Sequence, residues 1–322
     1  MEVVRYHRNG PAADVLELAE LDTPRPAAGE VRVRLRLSAV NPTDVKLRTG
    51  GALGFPYQVP HHDGAGEIDA VGDGVDTARI GEPVWVYLAA FRRQHGTAAQ
   101  WVCLPARQAV PLPGGIDLAL GAVLGVPAMT AHWALFGDGP LDGATVLVAG
   151  GAGAVGHFAI ELARRAGATV LATASTPEKI ALAEAAGAST VADYRDPDAA
   201  RLLRAAAPDG VHRVIEVDLG RNLALDQELL APGGTVVTYA ADGPDAVIPV
   251  RPWMILNAQL RFLLLYNAGA DTLDAAASEI TRALRDGALT PLPEHRFGLA
   301  DAVAAHQAVE AHVTGKVLLE LP

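Results

Sequence analysis

Cysteine is almost absent: Cys103 is the one thiol in 322 residues. That excludes an intramolecular disulfide, a multi-cysteine zinc site and the small disulfide-stapled secreted scaffold, so a reducing, cytoplasmic setting is expected. Long apolar runs are missing too. No stretch of about 18 uncharged apolar residues occurs, and MEVVRYHRNG enters strand-like sequence without an apolar leader region, so the sequence reads as soluble and unprocessed. Positive charge is short, 26 Lys+Arg against 37 Asp+Glu for a formal net charge of -11. Such a surface repels a phosphate backbone or an anionic membrane, and neither is expected as a partner. No internal repeat or long linker is visible. What is present is half apolar and 20% charged, with 33 Gly and 22 Pro. This suits a compact α/β protein with many tight turns, and at about 150 residues per domain the length suggests two domains.

Residues 1–124 read as β-rich. Val31-Arg32-Val33-Arg34-Leu35-Arg36-Leu37 alternates apolar with cationic residues, the pattern of a half-buried strand. Gly50-Gly51, Gly64-Ala65-Gly66 and Gly72-Asp73-Gly74 read as turns, and Val84-Trp85-Val86-Tyr87-Leu88 as a further strand. Short strands at this spacing predict a partly closed antiparallel barrel or sandwich. From residue 125 to about 270 strands alternate with helices: ATVLVAG, HFAIELARRAG, ATVLATAS, PEKIALAEAAGA, HRVIEVDLG, GGTVVTYA. That order predicts a doubly wound parallel sheet with helices on both faces, because parallel strands need long crossovers. Residues 271–322 hold two helix-like segments, 274–285 and 299–312, and a strand over 315–321, and are expected to return to the first domain.

The most informative stretch is Val146-Leu147-Val148-Ala149-Gly150-Gly151-Ala152-Gly153-Ala154-Val155-Gly156, followed by a helix over 157–166. Gly151, Gly153 and Gly156 fit G-x-G-x-x-G. A pyrophosphate seated on backbone N–H groups at a helix N-terminus needs a tight turn, a close phosphate approach and close helix–strand packing, and each need is met by a missing side chain. The strand before the motif and the amphipathic helix after it supply its required context. At the end of the next strand, where an NAD-binding fold places a carboxylate on the ribose 2′-hydroxyl, stand Ala174-Ser175-Thr176-Pro177-Glu178-Lys179. Ser175 can donate to a 2′-phosphate and Lys179 can offset its charge, which favours NADPH. Ser175 can equally cap the helix beginning at Pro177, with Lys179 a solvated charge.

The chain resembles the medium-chain dehydrogenase/reductase superfamily, and within it the zinc-independent quinone oxidoreductases, the zeta-crystallin group. The resemblance spans nearly the whole length. It rests on VLVAGGAGAVG, on Asn41-Pro42-Thr43-Asp44-Val45-Lys46-Leu47-Arg48-Thr49-Gly50, on Asp63-Gly64-Ala65-Gly66, on Ala188-Ser189-Thr190-Val191-Ala192-Asp193-Tyr194-Arg195, and on the tail Ala305-His306-Gln307-Ala308-Val309-Glu310 with Gly315-Lys316-Val317-Leu318-Leu319. It implies an α/β protein made of a GroES-like β-rich barrel domain and a Rossmann doubly wound parallel-sheet domain, an interdomain cleft, and a homodimer built through Rossmann-sheet edges. Carried over by position, Asn41 lies near the nicotinamide ribose and Thr130 near the nicotinamide. Gly151, Ala152, Gly153, Ala154, Val155 and Gly156 cradle the diphosphate, and Ser175, Lys179 and Tyr194 surround the adenosine ribose and 2′-phosphate. Tyr239, Tyr266 and Lys316 approach the reactive half. Tyr194, Tyr239 and Tyr266 can also be packing or interface residues.

In the zinc-dependent relatives a Cys, a His and a second Cys hold the metal, and the matching positions are Asn41, His62 and Val126. Neither an amide nor an isopropyl group replaces a thiolate on zinc, so no metal site is expected. His61-His62-Asp63 does not supply one either, since neighbours on an extended chain point to opposite faces. Without a Lewis acid, acceptors activated by conjugation remain: a quinone or an α,β-unsaturated carbonyl held near nicotinamide C4. Tyr57 is the nearest phenol, because Ala52 stands where several relatives carry Tyr. His61, where the group often has Gly, and His62 can donate to a carbonyl or serve a structural role. Arg92 or Arg93 can favour an acidic or CoA-bearing substrate or be solvated, His95 reads as a solvated loop residue, and Cys103 as a packed small apolar one. An enoyl-thioester or enone reductase is the enzymatic alternative. A nucleotide-bound structural or RNA-binding protein, as some zeta-crystallin relatives are, is the alternative of another class.

Overall fold

A computed structural model describes every residue except Ala52. The chain folds as two compact units, one made of Met1–Val126 and Pro291–Pro322, the other of Pro127–Thr290.

The first unit opens with β1 (Glu2–Arg5), β2 (Glu17–Glu20), β3 (Glu30–Val40), β4 (Asp63–Val71), β5 (Pro83–Val86), β6 (Trp101–Pro105) and β7 (Ala109–Pro111). The predicted alternation is the reason β3 forms: Val31, Val33, Leu35 and Leu37 are buried while Arg34 and Arg36 face water. Asp69 on β4 takes a two-pronged grip from Arg32, Nε at 2.8 Å and Nη2 at 3.1 Å. The 64–66 stretch is not a turn. Gly64 and Gly66 lie inside β4, where a Cβ would come within 2.7 Å of the Leu37 carbonyl oxygen and 2.0 Å of that of Arg34. Glycine here lets two bulged backbones meet, with register shifts at Arg32/Val33 and Leu35/Leu37.

The second unit contains β8 (Thr145–Val148), β9 (Thr169–Ala174), β10 (Thr190–Asp193), β11 (Val211–Glu216), β12 (Leu230–Thr238) and β13 (Gln259–Phe262), in the sheet order β10-β9-β8-β11-β12-β13, every pair parallel. This is the doubly wound order of a Rossmann sheet, with its reversal between β8 and β11, where ligands bind beyond the strand ends. Val170 through Ala174 are all buried, as expected of a strand covered on both faces.

The chain re-enters the first unit at Pro291 rather than at 271. The helix Ala270–Arg285 stays with the second unit because its neighbourhood is tied to the helix Ala154–Arg165. Arg165 pairs with Glu279 and Asp286, and the buried Glu161 carboxylate accepts from the Thr290 amide at 3.0 Å. Beyond it, β14 (Glu294–Gly298) pairs in parallel with β15 (Lys316–Glu320), and β15 runs antiparallel to residues 37–40 of β3. On one edge β3 therefore meets β6 along Glu30–Arg34 and β15 farther on, while β4 lies along the other. Among the described residues no helix is long and apolar enough to cross a membrane.

Candidate active site

At the end of β8 the chain turns through Gly150, whose φ of +68° suits glycine, and whose carbonyl accepts from the Gly153 amide at 2.9 Å. The Gly150 amide donates to Thr173 Oγ1 at 3.2 Å and that of Gly151 to the Thr173 carbonyl at 2.9 Å, which clamps the turn to β9. Gly150 and Thr173 are thus part of the cradle although the motif begins at Gly151; the doubled Gly150-Gly151 was the available signal. The helix Ala154–Arg165 starts with His157 donating to the Gly153 carbonyl at 2.8 Å, so the Ala154, Val155 and Gly156 amides precede its first internal bond. They converge with the helix dipole on one opening, beside the buried Ala152 and exposed Gly153. The Cβ test supports the division of labour among the glycines. At Gly156 a Cβ would sit 2.3 Å from the Gly150 oxygen, and at Gly151 it would meet Ala172, Ile160 and Ala183 side chains. At Gly153 it would meet only the Gly150 oxygen, at 3.3 Å, so that position is open toward a ligand. The cradle fits a diphosphate.

The β9 end carries the residues expected at the adenosine ribose. Thr176, not Ser175, caps the helix Pro177–Ala185, its Oγ1 accepting from the Lys179 amide at 3.2 Å. That leaves the Ser175 hydroxyl uncommitted to the helix. Tyr194, 52% exposed, follows β10 and donates its amide to the Ala174 carbonyl at 3.1 Å, which brings Ser175, Lys179 and Tyr194 to one rim. Tyr239 follows β12, with its amide on the Glu216 carbonyl at 3.2 Å, and burial with Glu216 nearby pushes its phenol up. Glu216 and Asp226 form a buried carboxyl pair beneath it. Burial raises both, with the Glu216 charge adding to Asp226 and the Asp218 charge adding to Glu216, and Glu216 accepts from Asn222 Nδ2 at 2.9 Å and from the Asp218 amide. Tyr266 sits in the short 3-10 turn Leu265–Asn267, and Thr130 is buried on the helix Gly125–Phe136.

The first unit contributes a different polar centre. Asn41 precedes the helix Pro42–Thr49 and its amide N donates to Asp44 Oδ2 at 2.7 Å, a capping contact. Its side chain runs between Asp63 and Lys316: Asn41 Nδ2 donates to Asp63 Oδ2 at 2.7 Å, and Lys316 Nζ donates to Asn41 Oδ1 at 2.5 Å. Asp63 Oδ2 also accepts from the Val126 amide at 2.8 Å. Asn41, Asp44, His62, Asp63 and Lys316 are all buried. Burial raises Asp63 to about 6 against the opposing pull of Lys316, raises Asp44 well above the usual range, lowers His62 to about 3, and lowers Lys316 against the pull of Asp63 and Asp44.

The three-residue run 61–63 does not follow the extended alternation, because His61 has φ of +78°. A left-handed histidine is strained, and a fixed hydrogen-bond chain holds it. Thr97 Oγ1 donates to the Asp63 carbonyl at 2.6 Å, using its one hydrogen. Ser38 Oγ must then donate to Thr97 Oγ1 at 2.8 Å and accept from His61 Nδ1 at 2.9 Å. His61 Nε2 is left to accept from His306 Nε2 at 2.9 Å. His61 is therefore structural, and burial holds His61 well below, and His306 at about 3 against, the usual histidine value.

Tyr57 joins a separate group. Its hydroxyl and His95 Nε2 are 3.0 Å apart, their rings stack, and the Arg5 guanidinium lies 5.3 Å from the Tyr57 ring. His95 is accordingly half-buried and bonded rather than solvated. Arg92 is exposed against Phe91, whereas Arg93 donates to the Cys103 carbonyl at 3.3 Å. The half-buried Cys103 thiol is pushed up to about 12 by burial and Glu30, so it stays protonated and unreactive. Ala52 lies outside the described residues.

Two family models match the chain, "Alcohol dehydrogenase GroES-like domain" over residues 27–114 and "Zinc-binding dehydrogenase" over 154–282. A quinone oxidoreductase of Rattus norvegicus is 29% identical over 98% of this chain and 96% of its own length. Among solved structures, an NAD-dependent alcohol dehydrogenase superposes with TM-score 0.90 at 26% identity, and a mycobacterial protein complexed with NADPH with TM-score 0.86 at 28% identity, each covering 100% of both chains. The zinc in the name of the second family can be tested on the donors here. The Asn41 amide is engaged by Lys316 and Asp63, Val126 has no side-chain donor, and among the described residues no group of three or more His, Cys, Asp or Glu is placed to hold a metal ion. The donor set does not fit zinc.

Proposed function

Because the chain belongs to the medium-chain dehydrogenase/reductase superfamily, in its quinone oxidoreductase group, we propose that this oxidoreductase uses NADPH to deliver hydride to a quinone or α,β-unsaturated carbonyl without a catalytic metal. The observation that carries this reading is the cradle: three helix-start amides at the end of β8, with Ser175 just past the end of β9, no carboxylate at that strand tip, and Lys179 beside Glu178 in the first turn of the helix that follows. The amides of Ala154, Val155 and Gly156 would hold the diphosphate, and Ser175 and Lys179 the 2′-phosphate, with Tyr194 beside the adenosine ribose. Bound NADPH would supply the hydride at nicotinamide C4. Thr130, Tyr239 and Tyr266 would border its nicotinamide half. A conjugated acceptor carries the incoming charge on its own oxygen, so the chain need supply only a hydrogen-bond donor there and a proton afterwards. Tyr57, with His95 on its hydroxyl, is the phenol suited to that proton.

The active form in this reading is a homodimer. Met254, Ile255 and Phe262 are 70%, 71% and 72% exposed on and beside β13, the outermost strand of its sheet, and exposed apolar side chains at an unpaired edge support a partner there. Light scattering checks the mass. The cofactor assignment is tested by fluorescence titration with NADPH and NADH. One extra charge-assisted contact at about 1.5–3 kcal/mol predicts at least tenfold tighter NADPH binding, and equal affinities would overturn the 2′-phosphate assignment. The acceptor class is tested with naphthoquinones, alkenals and crotonyl-CoA: turnover on quinones or enones supports the reading, and turnover on crotonyl-CoA alone would replace it with a thioester reductase.

A further inference from the structure

Glu216 and Asp226 are both fully buried, and the chain treats them unequally. Glu216, the last residue of β11, has two N–H donors on Oε1: the Asp218 amide and Asn222 Nδ2, the latter at 2.9 Å. Neither oxygen of Asp226 has a donor, and Glu216 Oε2 has none, although the two side chains lie within hydrogen-bonding reach of each other. Two ionised carboxylates cannot share such a contact, because each only accepts; one proton between them turns it into an O–H···O⁻ bond. The donors decide where that proton sits. Glu216, already holding two N–H groups, carries the charge, while Asp226 carries the proton and donates it to Glu216 Oε2. No cation among the described residues bonds the pair. Arg221 is drawn to Asp218, His212 accepts from the Thr145 amide, and Arg213 donates to the carbonyls of Leu135 and Asp138. On the helix Ala199–Ala206, packed against the helix Leu219–Leu229, Arg201 is held by Asp198 and Arg204 bonds neither carboxyl, and β12 carries no charged residue. The titratable neighbours are Asp218, whose charge acts on Glu216, and the Tyr239 phenol, which feels Glu216 in turn.

The segment that this pair anchors borders the glycine turn within the same unit. β11 lies beside β8, and a Cβ on Gly150 would stand 3.4 Å from Val217 Cγ1. Residues 218–220 are clasped from the other side by the loop after β12. A Cβ on Gly220 would fall 1.8 Å from the Pro244 carbonyl oxygen, and one on Gly243 1.9 Å from Asp218 Oδ1. Backbones packed this closely leave the segment a single seat, and the bond from the Asp218 amide to Glu216 Oε1 fixes its start. Loss of the proton removes the bond between the carboxyls, sets two buried charges against each other and adds negative potential beside a cradle for an anion. By linkage, an anion that binds less well beside the doubly charged pair raises the pair's hold on its proton by the same factor. Resting on the function proposed above, we infer that Glu216 and Asp226 share one proton that couples dinucleotide binding to pH: the cradle takes NADPH tightly while the pair is singly charged, and more weakly, with uptake of a proton on binding, once that proton is lost. The proton exchanges with solvent, and no covalent bond to the cofactor forms or breaks.

The test compares wild type with Asp226→Asn, whose amide can donate permanently to Glu216 Oε2 and so mimics the protonated pair. Without cofactor, the infrared difference spectrum at pH 7 should show in wild type the carbonyl band of a protonated carboxylic acid that D226N lacks; absence of that band overturns the shared proton. NADPH dissociation constants are then measured by fluorescence titration from pH 7 to pH 9.5, above the second ionisation of a phosphate monoester at about pH 6. Wild type should weaken about five- to tenfold more than D226N across that range. Calorimetry on wild type at pH 9, in buffers of different ionisation enthalpy, should show a proton taken up on binding, a readout that needs no variant to fold. Parallel pH profiles, or binding without proton uptake, overturn the coupling. Wild-type protein that binds no NADPH at any pH removes the function reading and the coupling together, whereas tight binding with parallel profiles removes the coupling alone.

Discussion

Gly153→Ala separates what the cradle does for the fold from what it does for a ligand. The backbone at Gly153 has φ −74° and ψ 160°, which alanine adopts without strain. A Cβ there meets only the Gly150 carbonyl oxygen, at 3.3 Å. The cost of that tight contact is set against the entropy the unfolded chain loses when Gly becomes Ala, about 0.4–1 kcal/mol. The net change in stability should stay below about 1 kcal/mol, or a few degrees in melting temperature. Binding should respond differently. The new methyl stands where a phosphate oxygen must approach the Ala154, Val155 and Gly156 amides, and losing one such charge-assisted bond costs about 1.5–3 kcal/mol. At 1.4 kcal/mol per decade this is about 10- to 100-fold in the NADPH dissociation constant. Differential scanning fluorimetry and isothermal titration on the same preparations read the two quantities. NADPH affinity equal to wild type in a variant that melts normally would refute the cradle as a diphosphate site.

Gly156→Ala should instead fail in the fold: its Cβ would fall 2.3 Å from the Gly150 oxygen, so helix and strand must separate, and a loss of about 3 kcal/mol or more is expected in urea unfolding. Asp226→Asn should stabilise the protein at pH 8. The Glu216–Asp226 carboxyls are raised in the folded state, so their stabilising contribution is present below the unfolded carboxylate value of about 4 and is lost as pH rises through the folded values. The melting-temperature gap between variant and wild type should close on acidification, and a gap that widens would contradict the shared burial. His306→Gln acts in the other direction. His306 titrates at about 3 in the fold against about 6.5 unfolded, so its contribution is complete above 6.5 and declines as pH falls. Wild type should lose about 2 kcal/mol more than H306Q between pH 7 and pH 5 in urea unfolding, and parallel pH dependences would count against the neutral His61–His306 pair.

The second unit was legible because its signals are local. Strand, glycine turn, helix and strand follow one another in chain order, and the register β8-β9-β10 needs nothing from outside the unit. The first unit was legible in class but not in detail. Gly64 and Gly66 suggest a turn when read alone, and only the crossing backbone of β3 explains why a strand carries them. His61 was identified as a departure, but its left-handed conformation and its tie to His306, 245 residues away, have no local signature. The cap offered as the alternative role of Ser175 belongs one residue on, at Thr176, a shift within the ordinary uncertainty of helix starts. For Lys316 the sequence offered only the resemblance. Its contact with Asn41 spans 275 residues, and no periodicity encodes it.

The most direct test of the whole account is stopped-flow loss of NADPH absorbance on protein stripped by chelation, with residual metal measured by mass spectrometry on the same sample. The account predicts full turnover with a quinone or enone acceptor at far less than one metal ion per chain. Stoichiometric zinc that survives chelation, activity that returns only when zinc is added, or no NADPH consumption across the acceptor panel would contradict it.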